Sequence, residues 1–429
     1  MKYESLNPQL FQLNRERFIR ELKPNSIAIF NANDLMPRSG DQFFPFRQNA
    51  DLFYLSGLDQ EETVVVIYPD SVQEAYQEVV FTKKTNNYIA IWEGHKYTKS
   101  EVTATSGIKT VFWLEDMDNI LNALILQADH IYLNGNENSR YHSDVPYRDV
   151  RFAAQIKAKY PMHTILRSQP IMLKLRMIKS KYEIPVIQHA INITEKAFRR
   201  ILGFVQPGVM EYEIEAEMIH EFVRNRATGH AYEPIIASGK NACVLHYTDN
   251  NQHCKDGDLL LMDFGADYAN YAADLTRTIP VNGRFTERQR DVYQSVLNVL
   301  KEATQLLVPG TTIDAYHKEV GKIMEAELIR LKLLDKEAVK NQNPKQPLYK
   351  QYFMHGTSHH LGLDVHDLGN FYTPLQAGMV FTCEPGIYIP KEGIGVRLEN
   401  DIVVTDTQPI NLMRNIPVEV EEIEELMNL

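Results

Sequence analysis

The sequence predicts an α/β domain followed by an α+β domain built on an internal repeat. Three observations predict it. Short apolar runs alternate with helical stretches over roughly the first 170 residues. Two Pro-Gly pairs, Pro207-Gly208 and Pro309-Gly310, each precede a helical pattern. Two glycines, Gly257 and Gly378, are each followed six residues later by an acid that closes an apolar run, Asp263 and Glu384. A length of 429 residues favours two or three domains of ~100–200 residues.

In the first half, the apolar runs at 27–30, 64–67, 79–81 and 131–133 read as strands. Helical stretches, including one near 119–128, lie between several of them, which suits a mostly parallel or mixed sheet. No glycine-rich phosphate loop and no acid/histidine cluster occurs there, so this half suggests no chemistry of its own. The boundary is placed near 173–180, giving domains of residues 1–173 and 174–429. Ser180-Lys181-Tyr182-Glu183 has the form of a capping box ahead of a helix running through Leu202. Pro185 is tolerated only in a first turn, so the helix is expected to start after the box. The Pro-Gly helices are expected over 211–226 and 313–329, each followed by a strand pair ending in acids. An ancient duplication explains the coincidence economically. The Glu-rich end, 417–429, reads as a solvated helix.

The chain is 44% hydrophobic and 24% charged, ordinary for a globular enzyme. Its net charge of −11 comes with no basic run, which disfavours nucleic acid as a partner. No stretch approaches the ~20 apolar residues of a membrane span. Met1–Ser5 lacks the apolar core of a signal peptide, so a cytoplasmic enzyme is expected. Cys243, Cys254 and Cys383 form no CxxC pair and no disulfide framework. Cys383, beside Glu384, reads as a buried strand residue rather than a nucleophile.

The chemistry concentrates in the second half. Residues 258–264 read as a buried strand and 269–279 as its hairpin partner, with Asp263 facing Asp274. Residues 379–384 and 395–404 read as the equivalent pair, in which Arg397 and Glu399 share a strand face. Between the halves lies the histidine-dense segment 355–367, HGTSHHLGLDVHD. Carboxylates in apolar strands repel one another and are costly to bury, and the nearby cations are only Arg277 and Arg397. Two divalent ions would bring +4 against the −4 of Asp263, Asp274, Glu384 and Glu399, leaving room for one bridging hydroxide. Oxygen ligands with one imidazole suit manganese, magnesium, iron or cobalt.

The segment 355–367 fits the pattern H-G-x-S-H-x-L-G-L-x-V-H-D, and the chain here resembles the Xaa-Pro aminopeptidases and prolidases. Residues 241–248 (NACVLHYT) resemble that family's histidine loop. Residues 262–266 (MDFGA) and 384–388 (EPGIY) resemble its metal-binding strands, and 48–57 (QNADLFYLSG) resemble the N-terminal domain of its aminopeptidase P branch. The resemblance covers nearly the whole chain. It implies a creatinase-like N-terminal domain and a pita-bread C-terminal domain with pseudo-twofold symmetry. It implies two manganese ions held by Asp263, Asp274, His359, Glu384 and Glu399, with Glu384 also moving the proton. His246, His355 and His366 match the family's substrate-side histidines, and Arg397 matches its supporting arginine. His360 stands where some relatives carry tryptophan, next to a ligand, where it can reshape the pocket wall. Trp92 reads first as a core residue. The resemblance implies an alternative, a tryptophan completing the site of a neighbouring subunit in a dimer or tetramer. The implied substrates are peptides with proline second. Prolidase, which takes only dipeptides, and a non-catalytic peptide-binding module are the alternatives.

Overall fold

The computed structural model describes residues 3–138, 140 and 143–429. Met1 and Lys2, where the stretch read for a leader begins, lie outside them. The chain forms two compact units, Tyr3–Arg176 and Met177–Leu429.

The first unit is built on a six-stranded mixed sheet. Its strands are β1 (Ser26–Asn31), β2 (Val64–Ile67), β3 (Glu78–Thr82), β4 (Thr110–Trp113), β5 (His130–Leu133) and β6 (Thr164–Arg167), in the order β4-β3-β2-β1-β5-β6. The β1–β5, β5–β6 and β3–β4 pairs are parallel, and the β1–β2 and β2–β3 pairs antiparallel. Alternate residues of a strand share a face. Ile27, Ile29, Val64, Val66, Val79, Phe81, Ile131 and Leu133 therefore form one apolar surface, covered by Leu121, Leu124, Ile125, Phe152 and Ile156. Each such side chain contributes roughly 1.5–3 kcal/mol by leaving water.

The motif at 48–57 is structural. The Asn49 side chain caps the helix Ala50–Ser56 by accepting from Asp51 N and Leu52 N. Gln48 Nε2 donates to the carbonyls of Leu58 and Gln60, and Asp51 pairs with buried Arg176 at 2.8 Å. The core reading of Trp92 is corrected. It lies on the short helix Asn87–Glu93 with 76% of its surface exposed.

In the second unit, the helix α1 (Ile184–Leu202) starts after the capping box, with Pro185 in its first turn. Ser180 N donates to Glu183 Oε2. The Pro-Gly helices are α2 (Glu211–Arg224) and α4 (Ile313–Arg330), and α3 (Glu287–Gln305) precedes the second of them. The terminal helix Val420–Met427 is not simply solvated. Val420 and Ile423 are buried, and Glu424 accepts from Phe285 N at 2.9 Å.

Each half carries the same nest of strands. In the first, β8 (Leu259–Phe264) pairs with β11 (Leu275–Pro280) around a small inner hairpin, β9 (Ala266–Tyr268) and β10 (Tyr271–Ala272); β7 (Ile235–Ser238) flanks β8. In the second, β12 (Val380–Cys383) pairs with β15 (Asn400–Val403) around β13 (Gly386–Ile389) and β14 (Ile394–Arg397). Two expectations change. Residues 395–404 are not one strand, because β14 pairs with β13 and only β15 pairs with β12. Asp263 lies opposite Thr276, not Asp274, which sits just ahead of β11. The repeat glycines open both nests in the left-handed region, Gly257 at φ +80° and Gly378 at φ +90°.

Candidate active site

The nested hairpins bring the acids together at their outer-to-inner junctions. Asp263 lies near the end of β8, and Asp274 between β10 and β11. Glu384 lies between β12 and β13, and Glu399 between β14 and β15. In the first half the chain turns at Gly265, where a Cβ would meet the Ala273 carbonyl oxygen at 1.7 Å. The Tyr232 hydroxyl then bridges the two aspartates, 2.6 Å from Asp263 Oδ1 and 2.5 Å from Asp274 Oδ1. A single phenol proton serves one of them at a time.

The two halves join across this cluster. Glu399 N donates to the Thr276 carbonyl, and Thr276 Oγ1 donates to Glu399 Oε2 at 2.6 Å. The segment around His359 runs along β12. His359 N donates to Thr382 Oγ1, Thr382 N to the His359 carbonyl, and Glu384 N to the Thr357 carbonyl. His359 Nδ1 donates to the His360 carbonyl at 3.0 Å. That leaves Nε2 to face Asp274 Oδ2 at 3.4 Å and Glu384 Oε1 at 3.8 Å. Asp274, His359 and Glu399 are all buried, and each offers a ligand atom within 4.8 Å of the others. Asp263 and Glu384 are half-buried at the open side.

The cluster is charged beyond what protein groups neutralise. Burial, and then Asp274 and Glu384, hold the Glu399 carboxyl well above the usual carboxylate range. Burial raises Asp274, opposed by its contact with His359. Burial pushes Glu384 up to about 7, against the pull of His359 and Arg397. Four acids and one imidazole, whose Nε2 faces Asp274 and Glu384, form a donor set that fits hard divalent cations. Such cations would return these acids to the ionised state.

Among the described residues, Arg397 is the cation bonded directly to the cluster. Its Nη2 donates to Asp263 Oδ2 at 2.6 Å, its Nε to Thr276 Oγ1 at 3.1 Å and its Nη1 to the Tyr388 hydroxyl at 2.8 Å. The Tyr388 proton is therefore directed at His355 Nε2, also at 2.8 Å. Burial, and then Arg397, push His355 down to about 3. Its neutral ring donates from Nδ1 to the Gly356 carbonyl and stands 3.5 Å from Glu384 Oε2. Arg277, the other cation expected to compensate the acids, bonds instead to the carbonyls of Thr276, Glu399 and Pro417 and to Asn400 Oδ1.

The His366 ring packs edge-on against His359, with centroids 4.3 Å apart. Its neighbour Asp367 forms a fully buried ion pair with Lys179 at 3.0 Å. His246 lies exposed in a turn, near enough for its charge to bear on His355. His360 is buried, with its ring centroid 4.2 Å from that of Phe381. Cys383 is buried behind Glu384, against the Tyr316 hydroxyl.

Sequence reasoning passed over Tyr232, Thr276 and Asp401. Asp401 is fully buried and accepts from Asp274 N at 3.2 Å. As an acid inside an apolar strand, it carried the same signal as the four acids that were selected. Tyr232 carried none, because it precedes β7 in an irregular stretch.

An acid cluster with one imidazole, half-exposed at Asp263 and Glu384 and backed by the neutral His355, has the make-up of a metal-dependent hydrolase site. The chain belongs to metallopeptidase family M24, which residues 186–406 match; residues 11–132 match the aminopeptidase P N-terminal domain. It is 35% identical to the Xaa-Pro aminopeptidase of Escherichia coli K12, over 98% of both chains. A solved structure of zinc-substituted E. coli aminopeptidase P in complex with product superposes with a TM-score of 0.87 at 33% identity, covering 99% of each chain. Another, of E. coli aminopeptidase P with the inhibitor Pro-Leu, gives 0.87 at 34% identity, again over 99% of each. The fold is thus an aminopeptidase P N-terminal domain with a pita-bread catalytic domain, and the enzyme is a metal-dependent aminopeptidase.

Proposed function

We propose that the chain releases the N-terminal residue from peptides whose second residue is proline, using two divalent ions, manganese by preference. Asp263, Asp274, His359, Glu384 and Glu399 would hold them. The observation that carries this is the convergence of Asp274, His359 and Glu399 ligand atoms within 4.8 Å, buried, with the other two acids beside them. When bound, the ions activate a water and polarise the scissile carbonyl.

The protein groups do the rest. Glu384, half-buried between β12 and β13, would take a proton and pass it to the leaving proline nitrogen. His246 and His366 would hydrogen-bond the charge that develops on the reacting carbonyl, and His355 would join them by turning its Nδ1–H away from the Gly356 carbonyl. Arg397 orients Asp263, and the His355–Tyr388–Arg397 chain keeps the His355 ring neutral and aimed. The acids that face solvent also suit the charged N-terminal amine of a substrate.

The acidic net charge and the site support peptides, not nucleic acid, as partners. Among the described residues no helix is long and apolar enough to cross a membrane, which is compatible with the cytoplasmic location we propose. Tyr88, Ile91 and Trp92 stand exposed on one short helix. They support a homo-oligomer, dimer or tetramer, in which Trp92 reaches a neighbouring subunit.

Substrate length tests the reading. Xaa-Pro-Xaa tripeptides and longer peptides should be cleaved, and acetylating the N-terminal amine should block cleavage. Catalytic efficiencies on a dipeptide, a tripeptide and an acetylated tripeptide check both claims. Activity confined to the dipeptide would leave prolidase as the function.

A further inference from the structure

We propose that Glu211, through Tyr247, is a positioning residue for His246; this rests on the reading of His246 as a substrate-side histidine. Glu211 opens α2 and is fully buried. Its Oε1 accepts from Ser238 N at 2.8 Å and Ser238 Oγ at 2.7 Å. Its Oε2 accepts from the Tyr247 hydroxyl at 2.7 Å and from Gln252 N at 2.9 Å. These donors have one thing in common. Ser238 and Gln252 bracket the loop that carries His246, and Tyr247 sits at its middle. One carboxylate thus pins both ends and the centre of a single loop. No cation is among these four donors. Charge-assisted hydrogen bonds and the start of a helix stabilise the carboxylate instead.

His246 needs such an anchor. Its ring is exposed, and among the described residues none hydrogen-bonds it, so its position is set by the backbone of its loop. The Tyr247 ring is buried in a cluster with Ile235, Leu261 and Tyr388. Leu261 lies on the strand that carries Asp263, and Tyr388 is bonded to both His355 and Arg397. The Glu211–Tyr247 bond therefore fixes the residue that registers the His246 loop against the acid strand and against His355. A loop held less firmly displaces a group acting on the transition state, and that lowers kcat more than it weakens binding.

The test is a double-mutant cycle on the manganese-loaded enzyme with an Xaa-Pro-Xaa tripeptide. Tyr247→Phe removes one hydroxyl and keeps the ring, so it tests the proposal even if Glu211→Gln does not fold. Tyr247→Phe is expected to lower kcat about three- to tenfold, with KM and metal content unchanged. It should cost nothing further in the His246→Ala background, because contacting residues that act as a unit are not additive. An equal loss in both backgrounds, or none in either, would overturn the proposal. Wild-type kcat in His246→Ala would instead remove the reading of His246 and the proposal with it.

Discussion

Asp274→Asn is expected to lose at least one metal ion and most of the catalytic rate while the fold survives. Asp274 is buried among Asp263, Glu384 and Glu399, with Tyr232 on one oxygen and His359 near the other. Asparagine keeps the shape but removes a charge that balances the cations. It also turns an acceptor into an NH2 donor on one side. The backbone there is held independently, by Asp274 N donating to Asp401, so the junction between β10 and β11 persists. Elemental analysis, kcat and a thermal melt on the same preparation check this. Two metals per chain with wild-type turnover would show that Asp274 is not a ligand.

His366→Ala is expected to lower kcat by about 10²-fold or more, the usual range for a lost acid–base or oxyanion contact, with metal content unchanged. His366 packs edge-on against His359 on the open side of the cluster and is not among the groups whose ligand atoms converge. The buried Lys179–Asp367 pair holds the adjacent backbone, so truncating the imidazole leaves the loop in place. Steady-state kinetics with metal analysis separate the roles. A normal rate with depleted metal would mean that His366 is a ligand and not a supporting group.

The sequence made the acids legible for a physical reason. Charged groups in apolar strands are costly, so Asp263 and Glu384 at the ends of hydrophobic runs demanded a partner that nearby cations could not supply. The repeat was legible through Gly257 and Gly378, which the fold uses for the same left-handed turn. The nested hairpins were not. Residues 395–404 look like one apolar strand. The break at Leu398-Glu399 depends on Glu399 N reaching the Thr276 carbonyl in the other half, a contact between segments far apart in the chain. Tyr232 escaped because its role depends on where its loop folds back. The residue type of Trp92 favours a core position, but it carries no information about which face of a short helix is covered. Arg277 reads as one of the few cations near the acids in the chain. Its guanidinium turned out to tie backbone carbonyls near Glu399 to the C-terminal segment at Pro417.

The most direct measurement is turnover of an Xaa-Pro-Xaa tripeptide by chelator-stripped protein during titration with manganese. Protein shown to be metal-free should not turn over, and the rate should return with added manganese and saturate at two ions per chain. Full turnover by the metal-free protein would contradict a metal-dependent aminopeptidase built on these acids.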